Sequence, residues 1–208
     1  KNYNILGVGR DSKDLWIYYS DKRKWEKIKD DSNGELISIR ATNTEKVLGV
    51  FKNGHVYEKD TWDAASWNRN ISYGSNFVDV AVCPNDGMLA VDANGASFYL
   101  SPEHVKPNKD GTLEWQSTPG GWINQISCSI SGLIHATNNR PGHGYTSHLY
   151  IRNNHKRLDK HQITQGRWIR KGNSGARGLT ACTKIIESSH GLDAKHDIFV
   201  INSDYLVY

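Results

Sequence analysis

An all-β repeat fold of about five four-stranded blades is what this sequence predicts, and three observations predict it. One hairpin design recurs five times, at Ile5 to Tyr18 (ILGVGRDSKDLWIY), Lys46 to Tyr57 (KVLGVFKNGHVY), Met88 to Tyr99 (MLAVDANGASFY), Leu133 to Tyr150 and Ile198 to Tyr208 (IFVINSDYLVY). A tryptophan follows each of the first four hairpins, at Trp25, Trp67, Trp115 and Trp168, with steps of 42, 48 and 53 residues. No segment carries a sustained apolar stripe of helical period, which excludes a helical solenoid of similar repeat length. Short strands, four to a unit of this length and separated by Gly turns, are the pattern of β-propeller blades.

The hairpins come first in each unit. Alternating runs rich in β-branched residues flank Asn53-Gly54 and Asn94-Gly95. Asn-Gly is the strongest short hairpin signal, and it predicts a type I′ turn with positive φ at both central residues. Next comes a Trp strand, in KWEKI, SWNRNI, LEWQS and RWIRK. A small polar loop follows: DDSNGE (Asp30 to Glu35), SYGSN (Ser72 to Asn76), TPGGW (Thr118 to Trp122) and KGNSGARG (Lys171 to Gly178). Each loop leads into a short strand, expected innermost, that ends at Thr42, Cys83, Cys128 or Cys182. These ends lie 17, 16, 13 and 14 residues after the preceding Trp, which supports a single register.

The fourth unit carries an insertion, NNRPGHGYTS (Asn138 to Ser147), and a basic polar stretch from Asn153 to Gln165. The chain enters and leaves at the hairpin stage of a unit, so eighteen strands are expected where five full blades need twenty. The first and last blades are therefore incomplete or composite. A ring closed by the two termini within one domain, residues 1–208, is the expectation, because an open ring exposes edge strands. Completion by a neighbouring chain, giving a homo-oligomer, is the alternative.

Composition suits an ordered sheet protein. Seven Trp and ten Tyr stand against four Phe, and such amphipathic aromatics fit half-buried sheet surfaces and sugar-facing or interface positions. Lys and Arg exceed Asp and Glu by only four, and the basic runs Lys22-Arg23-Lys24 and Lys156-Arg157 are short, so no nucleic-acid footprint is expected. No apolar run approaches the ~18 residues of a membrane helix. The chain begins at Lys1, as a mature secreted protein relieved of its leader does, and a secreted or extracellular setting is expected; a trimmed chain would begin the same way. Cys83, Cys128 and Cys182 share one repeat position, which reads as small buried side chains and not as a disulfide framework.

Catalytic and metal signals are weak. Gly172-Asn173-Ser174-Gly175 resembles the nucleophile loop of trypsin-like serine proteases, and a serine hydrolase of all-β fold is kept as an alternative function. That mechanism needs a His base and an orienting Asp. His55 follows a hairpin turn and His104 lies in a Pro-flanked loop, and the motif falls where the other units have plain turns. His135, His143 and His148 fall in the fourth hairpin, and His190 and His196 are expected to flank a loop before the fifth. None has the close pairing that zinc sites show. Asp92-Ala93-Asn94-Gly95 opens like an acidic calcium loop but lacks a Glu at the needed spacing. A non-enzymatic protein without metal or cofactor is expected.

What remains is a set of polar and aromatic loops before the inner strands: Asn33-Gly34-Glu35, Tyr73 to Phe77, Gly120 to Asn124, and Asn173 to Gly175. Trp or Tyr can stack on the C–H faces of a sugar while Asn, Asp and backbone N–H groups satisfy its hydroxyls. The candidate ligand-binding residues are Trp122 as a platform, with Gly121, Asn124, Tyr73, Asn76 and Asp79 around it or in equivalent loops. Asp79 has the inner strand as its other destination. The four repeat tryptophans are expected to pack blade against blade. Trp122 follows Gly-Gly and has no Trp counterpart in the other units.

The order of hairpin, W-x-x-I (Trp25 to Ile28), loop, and I-S-I or V-D-V-A-V strand resembles tectonin repeats, and Gly120-Gly121-Trp122 is similar to a loop of the tachylectin propeller lectins. GGW occurs once here and not in every unit, and the units vary in length. The resemblance implies a β-propeller lectin that binds N-acetylated or otherwise modified sugars on cell surfaces, with glycans or glycoconjugates as its partners. A protein-interaction propeller is the alternative.

Overall fold

The structure is a computed structural model that describes residues 4–9, 14–28, 34–41, 46–71, 76–83, 86–104, 113–128, 134–138, 148–152, 168–172, 178–188 and 191–201. Its strands form five successive sheets. The first has β1 (Asn4–Val8), β2 (Leu15–Tyr19) and β3 (Lys24–Lys27). The second has β4 (Leu36–Ala41), β5 (Val47–Phe51), β6 (Val56–Lys59) and β7 (Arg69–Asn70). The third has β8 (Phe77–Val82), β9 (Met88–Asp92), β10 (Ser97–Leu100) and β11 (Gln116–Thr118), and the fourth β12 (Ile123–Cys128), β13 (Ile134–Asn138), β14 (His148–Arg152) and β15 (Trp168–Gly172). The last is a two-stranded ribbon of β16 (Gly178–Ser188) and β17 (Gly191–Ile201). Within each sheet the strands neighbour one another in chain order. The fold is all-β and of the β-propeller class, as the repeat predicts. The chain divides into two compact units, Lys1–Val80 and Ala81–Tyr208.

Strand register fixes the repeat residue by residue. Gly7, Gly49, Ala90 and Ala136 occupy one position, opposite Trp16, Tyr57, Phe98 and Tyr150. The small residue has a packing reason, because a Cβ built on Gly49 would lie 2.5 Å from Cη2 of Trp67, and one on Gly7 would lie 3.2 Å from Cζ3 of Trp25. The repeat tryptophan thus lies across a bare patch of a strand in its own sheet. Inner strands β4 and β12 match as well: Ile39 faces Gly49, Ile126 faces Ala136, and both have a register irregularity around their second residue, Ile37 or Asn124.

The core of the first unit is built between its sheets. Leu15, Ile17 and Ile28 of the first pack with Leu36, Val47, Phe51 and Trp67 of the second. Trp67 is 7% exposed and meets Phe51, a residue of its own sheet, edge-on at 5.3 Å. It belongs to the buried cluster shared with the first sheet, but its closest contacts lie within its own sheet and not blade against blade, as was expected of the repeat tryptophans. Burying each such side chain contributes roughly 1.5–3 kcal/mol. Trp25, at the equivalent place, leans on Tyr18 at 5.4 Å and is 47% exposed.

Several expectations are corrected. The Asn-Gly tips are not type I′ turns, since only the glycines have positive φ, 79° at Gly54 and 81° at Gly95. Phe51 N–H donates to His55 O and Gly54 N–H to Phe51 O, with the same pair of bonds at Asp92, Ala96 and Gly95. These are three-residue loops in which a type I turn is followed by a left-handed glycine. The loop is one residue longer than the dipeptide suggests because Lys52 and Ala93 join it. Trp67 and Trp115 lie just ahead of β7 and β11 and not on them.

Cys83 and Cys128 form a disulfide, with Cα atoms 5.2 Å apart. Their matching places at the ends of the inner strands bring them together, so positional equivalence argued for pairing and not against it. The fifth unit also differs. The β-branched run after Cys182 meets no turn residue before Ser188, so β16 continues through Thr183, Ile185 and Ile186 and pairs with β17 along its whole length. His196 therefore lies on a strand, opposite Thr183. Seventeen strands are described where eighteen were expected; residues 202–208, and with them the tip of the fifth hairpin, lie outside the described residues.

Candidate functional site

The loop between β11 and β12 is held at both ends before it presents its aromatic. At its start Thr118 is buried and its hydroxyl meets that of Ser97 at 2.5 Å and donates to Ser97 O at 3.1 Å. The Pro119 carbonyl accepts the indole N–H of Trp168 at 3.1 Å. Gly120 has φ 125° and lies against the same ring, so a Cβ there would sit 2.5 Å from Cδ1 and Nε1. At the far end Ile123 N–H donates to Gly95 O at 3.1 Å. The hairpin tip comes so close that a Cβ on Gly95 would lie 2.6 Å from Trp122 Cα.

Trp122 is the product of these constraints. It has φ 65° and is 50% exposed. A left-handed backbone costs a non-glycine residue roughly 1–2 kcal/mol, and a bulky aromatic in water regains little of it by burial. Sites that keep such strain are often functional, and the inference runs from the observed outlier to the role. Among the described residues, no atom would lie within 4 Å of a Cβ on Gly121, which leaves room for a ligand beside Trp122. From Thr118 to Asn124 no residue is charged. Asn124 Oδ1 accepts the Thr137 hydroxyl at 2.7 Å, which orients its amide.

Asn76 fills the same repeat position in the first unit. Phe77 N–H donates to Gly54 O at 3.0 Å, and a Cβ on Gly54 would lie 2.8 Å from Asn76 Cα. Asn76 is exposed but its φ is not positive. Asp79 on β8 turns to the inner strand: its carboxylate accepts Ser38 Oγ at 2.7 Å and Arg40 Nη2 at 2.9 Å, with only 3% of its side chain exposed. Tyr73 and Ser174 lie outside the described residues. Gly121, Trp122 and Asn124 thus share one segment of the second unit, while Asn76 and Asp79 belong to the first. Sequence reasoning missed Gly95, Thr137 and Trp168 as supports of the loop. The signal for Gly95 was its hairpin, which fixed the glycine but not what the tip touches.

No protein-family model matches the sequence, and no curated protein matches it. Among solved structures, a chain described as "YCF48 bound to D1 peptide" is similar with a TM-score of 0.45 and 13% sequence identity, over 80% of this chain and 54% of that one. This chain thus spans little more than half the length of that structure.

Proposed function

We propose that this protein is a non-enzymatic, carbohydrate-binding β-propeller that recognises uncharged cell-surface sugars, such as N-acetylated hexoses, through the Trp122 loop. The observation that carries the proposal is a half-exposed tryptophan held at φ 65° beside open glycine backbone. The indole face supplies an apolar platform for the C–H face of a pyranose, and the backbone of Gly121 and the oriented amide of Asn124 supply directional partners for hydroxyl or acetamido groups. The absence of charge between Thr118 and Asn124 suits a neutral ligand. Asn76 marks an equivalent position with a polar side chain, so sites of unequal strength on one scaffold would act by avidity, turning about millimolar contacts into useful binding on a repetitive surface. An extracellular setting fits such a surface. The test is a glycan array together with cell agglutination. Retention of a defined set of neutral glycans, displaced by free sugar, supports the proposal. Capture of a protein partner that survives excess free sugar, with no glycan retained, overturns it in favour of a protein-interaction propeller.

A further inference from the structure

Trp168 stands where the repeat puts an ordinary packing tryptophan, yet its indole meets the loop that carries Trp122. We infer that Trp168 is a positioning residue for Trp122, an inference that rests on the carbohydrate-binding reading for its purpose but not for its geometry. Its indole N–H donates to Pro119 O at 3.1 Å, and its ring covers Gly120 so closely that a methyl there would fall 2.5 Å from Cδ1 and Nε1. Gly120 is itself left-handed, with φ 125°. The segment Pro119 to Trp122 is exposed throughout and contains two positive-φ residues in four. Solvent-exposed backbone of this kind relaxes unless it is tied at both ends. The C-terminal tie is the Gly95 tip on Ile123; at the other end Thr118 is anchored on Ser97, and beyond it Trp168 ties the Pro119–Gly120 backbone. Without the Trp168 tie, Pro119 to Gly121 are held only through Thr118, and Trp122 can leave the left-handed region. A ligand would then have to reorder the loop on binding, and lost preorganisation appears as lost affinity.

The experiment uses the full chain labelled with 5-fluorotryptophan, in which ¹⁹F NMR resolves the seven tryptophans and Trp122→Phe assigns the Trp122 resonance. Trp168→Phe keeps an aromatic ring and removes the N–H. The expected result is a shifted or broadened Trp122 resonance, with those of Trp16, Trp25, Trp62 and Trp67 unmoved, and glycan affinity reduced by about fivefold, the scale of one lost hydrogen bond. Gly120→Ala, which leaves Trp168 in place but drives a methyl into its ring, is expected to move the same resonance and provides the test if Trp168→Phe does not fold. A Trp122 resonance unchanged in a folded variant of either kind overturns the inference, because general packing loss would not single out Trp122. If the resonance moves while the wild type retains no glycan, the positioning role stands and the carbohydrate reading falls.

Discussion

Replacing Gly49 with Ala puts a methyl where the structure has no room for it. The new Cβ would lie 2.5 and 2.8 Å from Cη2 and Cζ3 of Trp67 and 2.9 Å from Cδ1 of Leu36. All three belong to buried side chains of the first unit's core, and Trp67 is further fixed by its edge-on contact with Phe51. Overpacking of this kind costs about 1–3 kcal/mol. Exchanging a strand glycine for alanine returns roughly 0.5–1 kcal/mol through the unfolded chain. The clash wins, and Gly49→Ala is expected to destabilise by about 1–2 kcal/mol, a fall in Tm of roughly 2–8 °C for a chain of this size. Gly7→Ala is the control. Among the described residues its Cβ would meet only Trp25, at 3.2 and 3.3 Å, and that ring is 47% exposed and can tilt outward, so its cost is expected within about 0.5 kcal/mol. Thermal and urea unfolding followed by circular dichroism measure both. Combining Gly49→Ala with Trp67→Phe, which shortens the ring that clashes, is expected to give less than the sum of the two single losses. A Gly49→Ala protein as stable as wild type, or a Gly7→Ala protein equally damaged, refutes the account of small residues under the repeat tryptophans.

Three further outcomes follow from other parts of the molecule. Asp79→Asn removes the charge that Arg40 and Ser38 share and is expected to lower stability by about 2 kcal/mol, read as a lower urea midpoint at unchanged slope, while glycan retention by the Trp122 loop persists. An unchanged midpoint would show that the inner-strand ion pair contributes nothing. Alkylation of the denatured, unreduced protein is expected to modify one of the three cysteines, and all three after reduction; loss of the Cys83–Cys128 bond is expected to cost about 2–4 kcal/mol, seen by comparing thermal melts with and without reductant. Three thiols reactive before reduction would contradict the disulfide. Trp122→Gly relieves the left-handed strain, so its Tm is expected to stay within a few degrees of wild type or rise, while glycan binding disappears. A large fall in Tm would mean that the Trp122 ring serves the core and not a ligand.

The blade pattern was legible because it rests on short-range chemistry. Alternation, Gly turns and the Trp step identified the sheets and the loop before each inner strand. What failed to read out was decided by neighbours distant in sequence. Asn53-Gly54 announces a turn, but the choice between two-residue and three-residue loops depends on how the flanking strands pair. Three cysteines in one repeat position suggested equivalent isolated thiols, whereas adjacent inner strands place two of them within bonding reach. Trp122 stood out by its lack of counterparts, yet its positive φ and the roles of Gly95 and Trp168 depend on contacts between residues far apart in the chain, Gly95 with Trp122 and, 49 positions apart, Pro119 with Trp168. Asp79 looked as able to face a ligand as the inner strand, and only the placement of Arg40 and Ser38 directs it inward.

The most direct measurement is a glycan array probed in parallel with wild-type protein and Trp122→Ala, the fold of each verified by its thermal melt. Wild-type retention of a consistent set of neutral glycans, reduced at least about tenfold in the variant as the loss of a stacking platform demands, is the predicted result. Equal retention by both proteins, or none by either, would contradict the assignment of Trp122 as the sugar-binding platform.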